Sequence, residues 1–305
     1  MTTFIVRRFL TAVVLIFMVA LTVFLLGHMT GDPVRLLLPE DATQADIEAM
    51  RERLGFDRPL PVQFFEFVVR AVQGDLGTSL RYRQPAIDLV LQRMPATIEL
   101  SVAAMAIALL VAIPSGVISA LRPGSLADTI TSTAAVVGQA LPPFWIGIML
   151  IIVFAVWLPW LPAAGREAPG SLVLPAVTLG LWPMARLARV FRSSLLDVMH
   201  EDYVRTARAK GLSESAVLTR HTIRNAAIPV VTIAGLTFGT ILGGTVVTES
   251  VFAWPGIGRL ALDAVYNRDF PVVQATVFAA AVVFVAINFI LDLLYAWIDP
   301  RIRLG

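Results

Sequence analysis

Residues 100–121 of the chain read LSVAAMAIALLVAIPSGVISAL, a stretch without aspartate, glutamate, lysine or arginine. A helix needs about 20 predominantly apolar residues to cross the hydrocarbon core of a bilayer, so this stretch predicts a transmembrane helix. Other runs free of these charged residues occur at 9–31, 129–165, 168–185, 225–248 and 270–291. Together the runs predict an all-α integral membrane protein with six transmembrane helices.

The composition of the 305 residues agrees with a membrane protein and excludes other classes. Hydrophobic residues make up 57% and charged residues 15% of the chain, whereas a soluble domain carries about 25% charged residues. A net charge of +2 gives no basic surface for nucleic acid, so no such partner is expected. The absence of cysteine excludes disulfides, zinc–thiolate sites and iron–sulfur ligation by this chain.

The long run at 129–165 is interrupted by prolines, beginning with Pro142 and Pro143. We interpret it as one span that ends near Trp157 and is followed by an irregular segment outside the membrane. Two short spans joined by a hairpin are the alternative.

The run at 168–185 is the shortest of the six. It reaches spanning length if the helix continues into Arg186 and Arg189, because long arginine side chains can snorkel to the membrane interface. We therefore count it as the fourth span.

The distribution of basic residues predicts the orientation. If the N-terminus is cytoplasmic, thirteen Lys and Arg residues fall on the cytoplasmic side and three, Arg166, Arg259 and Arg268, fall in the short loops opposite. Short cytoplasmic loops carry an excess of Lys and Arg. We therefore expect a multi-pass membrane protein with both termini in the cytoplasm.

The external segment 31–96 is predicted to be a small helical domain between residues 1–30, which hold the first span, and a membrane core at 97–305. Thr43-x-x-Asp46 is a variant capping box that opens a helix near 44–54. A second helix near 61–73 is rich in phenylalanine and ends at Gly74.

The internal segment 192–226 carries a dense group of charges. Asp202 is expected to cap a short helix, Gly211 to end it in left-handed backbone, and Ser213 to cap a second helix. An alternative is a loop whose arginines bind anionic lipid. A DNA-binding helix-turn-helix is excluded because both ends run directly into membrane spans.

Small residues recur at four-residue spacing within two spans. Gly235, Gly239 and Gly243 form one ridge, and Ala104, Ala108, Ala112 and Gly116 form another. Such ridges allow close approach of helix backbones. Packing within the bundle is the favoured explanation, and a subunit interface is the alternative.

No pattern in the sequence predicts catalysis, so no catalytic residue and no metal ligand is expected on this chain. Lys210, the single lysine, follows Ala209, which excludes a phosphate-binding G-x-x-x-x-G-K-[ST] loop. The spans also lack the buried acids and histidines of a proton relay. The chain is therefore expected to bind no cofactor and to receive its energy from a partner.

Several motifs, taken in order, resemble the membrane subunits (permeases) of the dipeptide/oligopeptide/nickel class of ATP-binding-cassette importers, the DppB/OppB type. They are GDP at 31–33, LGFDRPLPVQ at 54–63, GDLG at 74–77, DYVRTARAKG at 202–211, WPGIG at 254–258, RDFP at 268–271 and DPRIR at 299–303. The resemblance covers nearly the whole chain. It implies the type I importer permease fold and a location in a prokaryotic cytoplasmic membrane.

In this family a coupling helix in the cytoplasmic "EAA" loop docks in a cleft of the ATPase subunit. The resemblance places it at about 202–212 and assigns ATPase coupling to Asp202, Tyr203, Ala207, Lys210, Gly211 and Leu212. Arg205 and Thr206 stand where the general motif has Glu and Ala, so contacts of that Glu do not carry over.

The resemblance also implies partners: a second homologous permease, two ATPase domains that bind ATP and Mg, an external solute-binding protein, and the lipid bilayer. The residues expected to face the binding protein are Trp254, Pro255, Gly256, Arg268 and Asp269. The expected cargo is a short peptide. Nickel complexes or another small solute are an alternative cargo, and a stand-alone channel or secondary transporter is an alternative class.

Overall fold

The computed structural model describes residues 2–29, 43–54 and 57–298. Within these ranges most of the chain is helical, and turns or irregular segments join the helices. The helices are α1 (Thr2–Met29), α2 (Gln44–Leu54), α3 (Leu60–Val72), α4 (Ala86–Leu121), α5 (Leu126–Ala140), α6 (Pro143–Ile151), α7 (Val173–Met199), α8 (Asp202–Ala209), α9 (Glu214–Ala216), α10 (Ile223–Val251), α11 (Ile257–Tyr266) and α12 (Phe270–Ile298). The motifs at 31–33 and 299–303, and Gly55 and Phe56, lie outside the described residues.

Four helices of the described ranges are long and apolar enough to cross a membrane. They lie at Ile5–Gly27, Ala86–Leu121, Glu214–Gly243 and Phe270–Leu293, and the bent pair of α5 with α6 gives a fifth candidate. The predicted fourth span corresponds to α7, which has 27 residues but carries Arg186, Arg189 and Arg192. Six spans therefore stays a prediction that depends on α7.

The predicted third span ends as expected but is not one straight helix. α6 continues as a π-helix, Ile152–Trp157, and irregular chain follows. Between α5 and α6 the axis turns by 106°. Pro142 and Pro143 explain the break, because proline donates no backbone hydrogen bond and disfavours helix in the residue before it. One span over this run therefore stays a prediction, and if the pair is a span it is a broken one.

The contacts divide the chain into two compact units, one of residues 1–95 with 256–305 and one of residues 96–255. The predicted domains at 1–30, 31–96 and 97–305 were defined by membrane side, so they remain a prediction. In the first unit α12 packs against α1 and α11. Its core contains Leu76, Val90 and Val272.

The two helices predicted within segment 31–96 form where the sequence predicted them. Thr43 N–H donates to Asp46 Oδ2 at 3.0 Å, and Asp46 N–H donates back to Thr43 Oγ1 at 3.3 Å. These bonds make the capping box of α2, and the Thr43 hydroxyl and backbone lower the pKa of Asp46. α3 packs on α1, where the Phe64 ring lies 5.4 Å from both Phe17 and Phe24.

In the second unit α7 packs against α10 and α5. The alanine ridge of α4 lies inside this core, with Ala104, Ala108 and Ala112 fully buried. A Cβ added at Gly180 would lie 2.6 Å from the Ala104 carbonyl oxygen, so the ridge permits close contact with α7. For α4 the packing interpretation is correct.

The glycine ridge of α10 has two environments. Gly235 and Gly239 are buried, whereas Gly243 is exposed, and a Cβ added to Gly243 would meet no atom within 4 Å. Packing within this chain therefore accounts for the first two glycines and not for the third.

Candidate functional site

The segment between α7 and α10 is built around α8, whose two faces differ. Val204 is 0% and Ala207 5% exposed, and with Val217 they form a small apolar cluster. Asp202 and Arg205 face solvent, with side chains 94% and 71% exposed. Three-residue spacing puts Val204 and Ala207 on one helix face, so burial anchors α8 and leaves a charged face free.

The end of α8 has the hydrogen bonds of a Schellman motif. Gly211 N–H donates to Arg208 O at 2.9 Å, and Leu212 N–H donates to Ala207 O at 3.4 Å. The φ angle of Gly211 is +81°, which confirms the predicted left-handed conformation. Leu212 packs on the cluster that holds Ala207, as the C-terminal residue of such a motif commonly does.

Two polar contacts tie α8 to the chain that follows. Arg208 Nε donates to Glu214 Oε1 at 2.9 Å across the Gly211 turn. Asn225 Nδ2 donates to the Tyr203 hydroxyl at 2.9 Å. Because Glu214 opens α9 and Asn225 lies in the first turn of α10, α8 is held to the start of a long helix.

The structure corrects two details of this segment. The N-cap of α8 is Glu201, without a side-chain cap, and Asp202 is the first helical residue. A carboxylate there still suits the positive end of the helix. Ser213 precedes α9 but makes no capping hydrogen bond, and the second helix is not separate, since α9, a π-helix at Val217–Thr222 and α10 follow one another without a break.

A partly buried ion pair lies where α4 ends and α5 begins. Asp128 is 7% exposed and accepts from Arg192 Nε and Nη2, each at 2.9 Å, from Gly124 N–H at 2.9 Å, and from the Ser119 hydroxyl. Sequence reasoning did not single out this network. Ser125-x-x-Asp128, a capping pattern like that of Thr43 and Asp46, was the available signal.

The far end of α10 carries a second buried polar contact. Glu249 is 0% exposed and accepts a hydrogen bond of 2.6 Å from the Thr97 hydroxyl. The Trp254 indole, 1% exposed, donates to Ala96 O at 2.8 Å. Trp254 was expected to face an external protein, but its side chain is enclosed because it anchors the chain after α10.

Asp269 is likewise buried, 1% exposed. It accepts from the Ser79 hydroxyl at 2.5 Å and from the N–H groups of Leu80 and Arg81 at 3.2 and 3.3 Å. Its carboxylate therefore holds the 79–81 loop, and its expected role toward a binding protein stays a prediction. Gly256 is also buried, Pro255 is half-buried and Arg268 is exposed.

In the part of the chain that the structure describes, no three His, Asp or Glu residues are grouped to hold a metal ion. The site offers a small apolar anchor, a rigid helix end and an exposed charged face. These features suit docking of a macromolecule better than chemistry on a small substrate. Apolar helices of spanning length with a short amphipathic helix inserted between two of them are the arrangement expected of a transporter permease of the type that the sequence resembles.

The comparisons agree with this class. The family described as "Binding-protein-dependent transport system inner membrane component" matches residues 112–304, and its N-terminal part matches residues 1–101. The chain belongs to this family. It is therefore a membrane-spanning permease component of an ATP-driven importer, a transport subunit rather than a catalytic one.

Relatives extend over the whole length. The glutathione transport system permease protein GsiC of Escherichia coli strain CFT073 is 44% identical over 304 residues, covering 99% of both chains. GsiC of strain K12 and of Shigella dysenteriae are each 43% identical with the same coverage. The similarity to these relatives is therefore not confined to the short motifs and extends over the full length of the chain.

Solved structures share the fold at low identity. A chain of the inward-facing MetNI methionine ABC transporter has a TM-score of 0.58 and 19% identity, and covers 69% of this chain and 96% of that one. A chain of an amino acid ABC transporter has a TM-score of 0.54 and 16% identity, covering 68% and 92%. These values support the type I importer permease fold.

Proposed function

We propose that this chain forms half of a translocation pathway for short peptides, glutathione being the first candidate. It pairs with a second, homologous permease. Two ATPase domains bind ATP and Mg and dock on α8 from the cytoplasm, and a solute-binding protein delivers cargo from outside. The 44% identity with GsiC supports the cargo class.

The geometry of α8 is the observation that carries the coupling role. Its buried face is anchored by Val204 and Ala207, and its exposed face offers Asp202, Arg205 and Lys210. The contacts of Arg208 and Tyr203 lead directly to α9 and α10. A helix fixed in this way transmits a displacement instead of absorbing it.

The arrangement in the membrane completes the proposal. Both termini lie in the cytoplasm, as the excess of basic residues on that side favours. The external loops then include 251–271, where exposed Arg268, with its neighbours Val265 and Tyr266, offers a surface to the binding protein. The exposed Gly243 is available to the second permease.

Cross-linking tests the coupling role directly, because the chain has no cysteine. Arg205→Cys places one thiol on the exposed face of α8, and Arg122→Cys places one on the exposed loop between α4 and α5. With a short photoactivatable thiol reagent on the assembled transporter, we expect an ATPase adduct from position 205 and none from 122. Equal adducts, or an adduct from 122 alone, would refute docking at α8.

Uptake tests the cargo. The complete assembly in proteoliposomes, with its binding protein outside, should accumulate labelled glutathione when ATP is present inside. A set of dipeptides and a nickel chelate serve as competitors. Uptake of the chelate without uptake of any peptide would overturn the peptide assignment and leave the coupling assignment untouched.

A further inference from the structure

A polar cavity lies between α4, α5 and α7, apart from the coupling segment. It encloses about 180 Å³. The side chains lining it that bear a charge or a hydroxyl are Ser115, Ser119, Thr131, Ser132, Arg189 and Arg192. Neither the family assignment nor the proposed transport mechanism uses this cavity.

The charge of the cavity is positive. Asp128 compensates Arg192 through two hydrogen bonds of 2.9 Å, and the lining contains no acidic residue. Arg189 is exposed, and the hydrogen bond that the structure gives it is long, 3.5 Å to Gln139 Oε1. A guanidinium group presents five N–H donors in a planar fork that matches phosphate oxygens.

The surroundings of the cavity indicate which kind of phosphate compound would reach it. It lies near the end of α4 and the beginning of α5, where the exposed residues Ile118, Leu121 and Ile130 are apolar. One turn before Arg189, the Arg186 guanidinium lies 5.7 Å from the Trp182 ring centroid, and Trp is enriched at membrane interfaces. Basic pockets between transmembrane helices bind the headgroups of anionic lipids.

We propose that this cavity binds the phosphate of an anionic phospholipid, with Arg189 as the principal donor. Arg192 lines the cavity beside Arg189 but stays paired with Asp128, so Arg189 supplies the uncompensated charge. The acyl chains lie along the exposed apolar side chains, including Val136, which also lines the cavity. The proposal requires a membrane protein but does not depend on the cargo or on α8.

The test uses the full-length chain purified with the subunits that accompany it. Nanodiscs contain either phosphatidylglycerol or phosphatidylcholine with identical acyl chains, and lipid retained after transfer to detergent is counted by native mass spectrometry. The wild type should retain phosphatidylglycerol in preference. Arg189→Gln should weaken this retention about fivefold, while Arg189→Lys should keep most of it. Arg186→Gln removes a neighbouring charge outside the cavity and is the matched control.

The outcomes separate the possible occupants. Equal retention by wild type and Arg189→Gln, or equal loss in Arg186→Gln, would overturn the site. If inorganic phosphate displaces the lipid at equal phosphate concentration, the cavity is a free-anion site and the lipid is not its ligand. If glutathione displaces it instead, the cavity belongs to the translocation pathway and the proposal is wrong.

Discussion

Residues in left-handed backbone end several helices of this protein. Gly74 and Gly211 follow α3 and α8 with φ of +82° and +81°, whereas Ala253 and Arg268 follow α10 and α11 with φ of +48° and +54°. All four positions have the same pair of closing hydrogen bonds. Glycine adopts this conformation without steric cost, and an L-residue with a side chain pays about 1–2 kcal/mol.

Ala253→Gly should therefore stabilise the protein. Relief of the strain at Ala253 exceeds the extra chain entropy that glycine loses on folding, about 0.5–1 kcal/mol, so the expected net gain is about 0.5–1 kcal/mol. Thermal unfolding in a fixed detergent measures the change. Ala134→Gly, at an exposed position inside α5, is the control and should destabilise by about 1 kcal/mol. Destabilisation by both variants would contradict the left-handed conformation of Ala253.

Gly211→Val tests the end of α8. A Cβ there meets no atom within 4 Å, so the cost comes from backbone conformation alone, about 1–2 kcal/mol. Loss of the turn tilts α8 away from its partner. We expect normal membrane insertion, reduced co-purification of ATPase subunits and no ATP-driven uptake.

The variant has close controls. Gly211→Asn should behave almost as the wild type, because asparagine tolerates left-handed backbone. Gly74→Val imposes the same local strain at a glycine that is equally unobstructed, but in segment 31–96, which we propose to be external, so ATPase subunits should still co-purify. Normal docking and uptake by Gly211→Val would favour lipid binding by the arginines of 192–226.

At the scale of elements, buried carboxylates join segments that lie far apart in the sequence. Asp269 joins the end of α11 to the 79–81 loop, some 190 residues earlier. Asp128 joins the start of α5 to Arg192 of α7. Each carboxylate satisfies several donors at once, and an unsatisfied buried donor costs about 1–3 kcal/mol.

Asp269→Ala should release the 79–81 loop, because it leaves the Ser79 hydroxyl and two backbone N–H groups without their acceptor. Arg81 and Arg83 are exposed and become preferred trypsin sites when the loop opens. Limited proteolysis of the purified protein measures this. Asp263→Ala, which removes only a 4.0 Å contact with Arg259, should leave the cleavage rate unchanged. Equal rates in wild type and Asp269→Ala would show that the loop is held by other contacts.

Short sequence patterns predicted where helices begin and end, but they did not predict which side chains are buried or what they contact. The capping box of α2, the end of α3 at Gly74 and the end of the third predicted span near Trp157 were all predicted from short stretches of sequence. The 106° turn before α6 was not, because a Pro-Pro pair predicts a break but packing decides its direction. The enclosed positions of Trp254 and Asp269 were not predicted, because their partners, Ala96 and Ser79, are far away in sequence.

The same distinction applies to the candidate site. The position of α8 and the conformation of Gly211 followed from sequence, since a helix stop is a local property. The tether between Tyr203 and Asn225 did not, because it requires the fold to bring α8 beside α10. Nor did the cavity at Arg189, whose lining comes from three separate helices.

For the whole molecule, the count of spans depends on α7. Its arginines exclude it from the clearly apolar helices, yet 27 residues at about 1.5 Å per residue give about 40 Å, sufficient to cross. If α7 spans, its two ends lie on opposite sides of the membrane.

Single cysteines on either side of α7 decide the question. Glu167→Cys and Asp202→Cys are both at exposed positions of a chain without native cysteine. A membrane-impermeant maleimide added to intact cells, after removal of any outer barrier, should label position 167 and not 202. In inverted vesicles the labelling should reverse. Labelling of both positions from one side would refute six spans.

The unbroken helical path from Glu214 to Val251 has a mechanical consequence. At about 1.5 Å per residue it is about 57 Å long. Arg208 contacts it near one end, and Thr97 contacts it near the other end through Glu249. The π-helical turns at Val217–Thr222 and Pro229 interrupt its regular hydrogen bonds. A helix of this length also bends elastically. The stiffness of residues 217–229 therefore sets how much of a displacement of α8 reaches the Glu249–Thr97 contact.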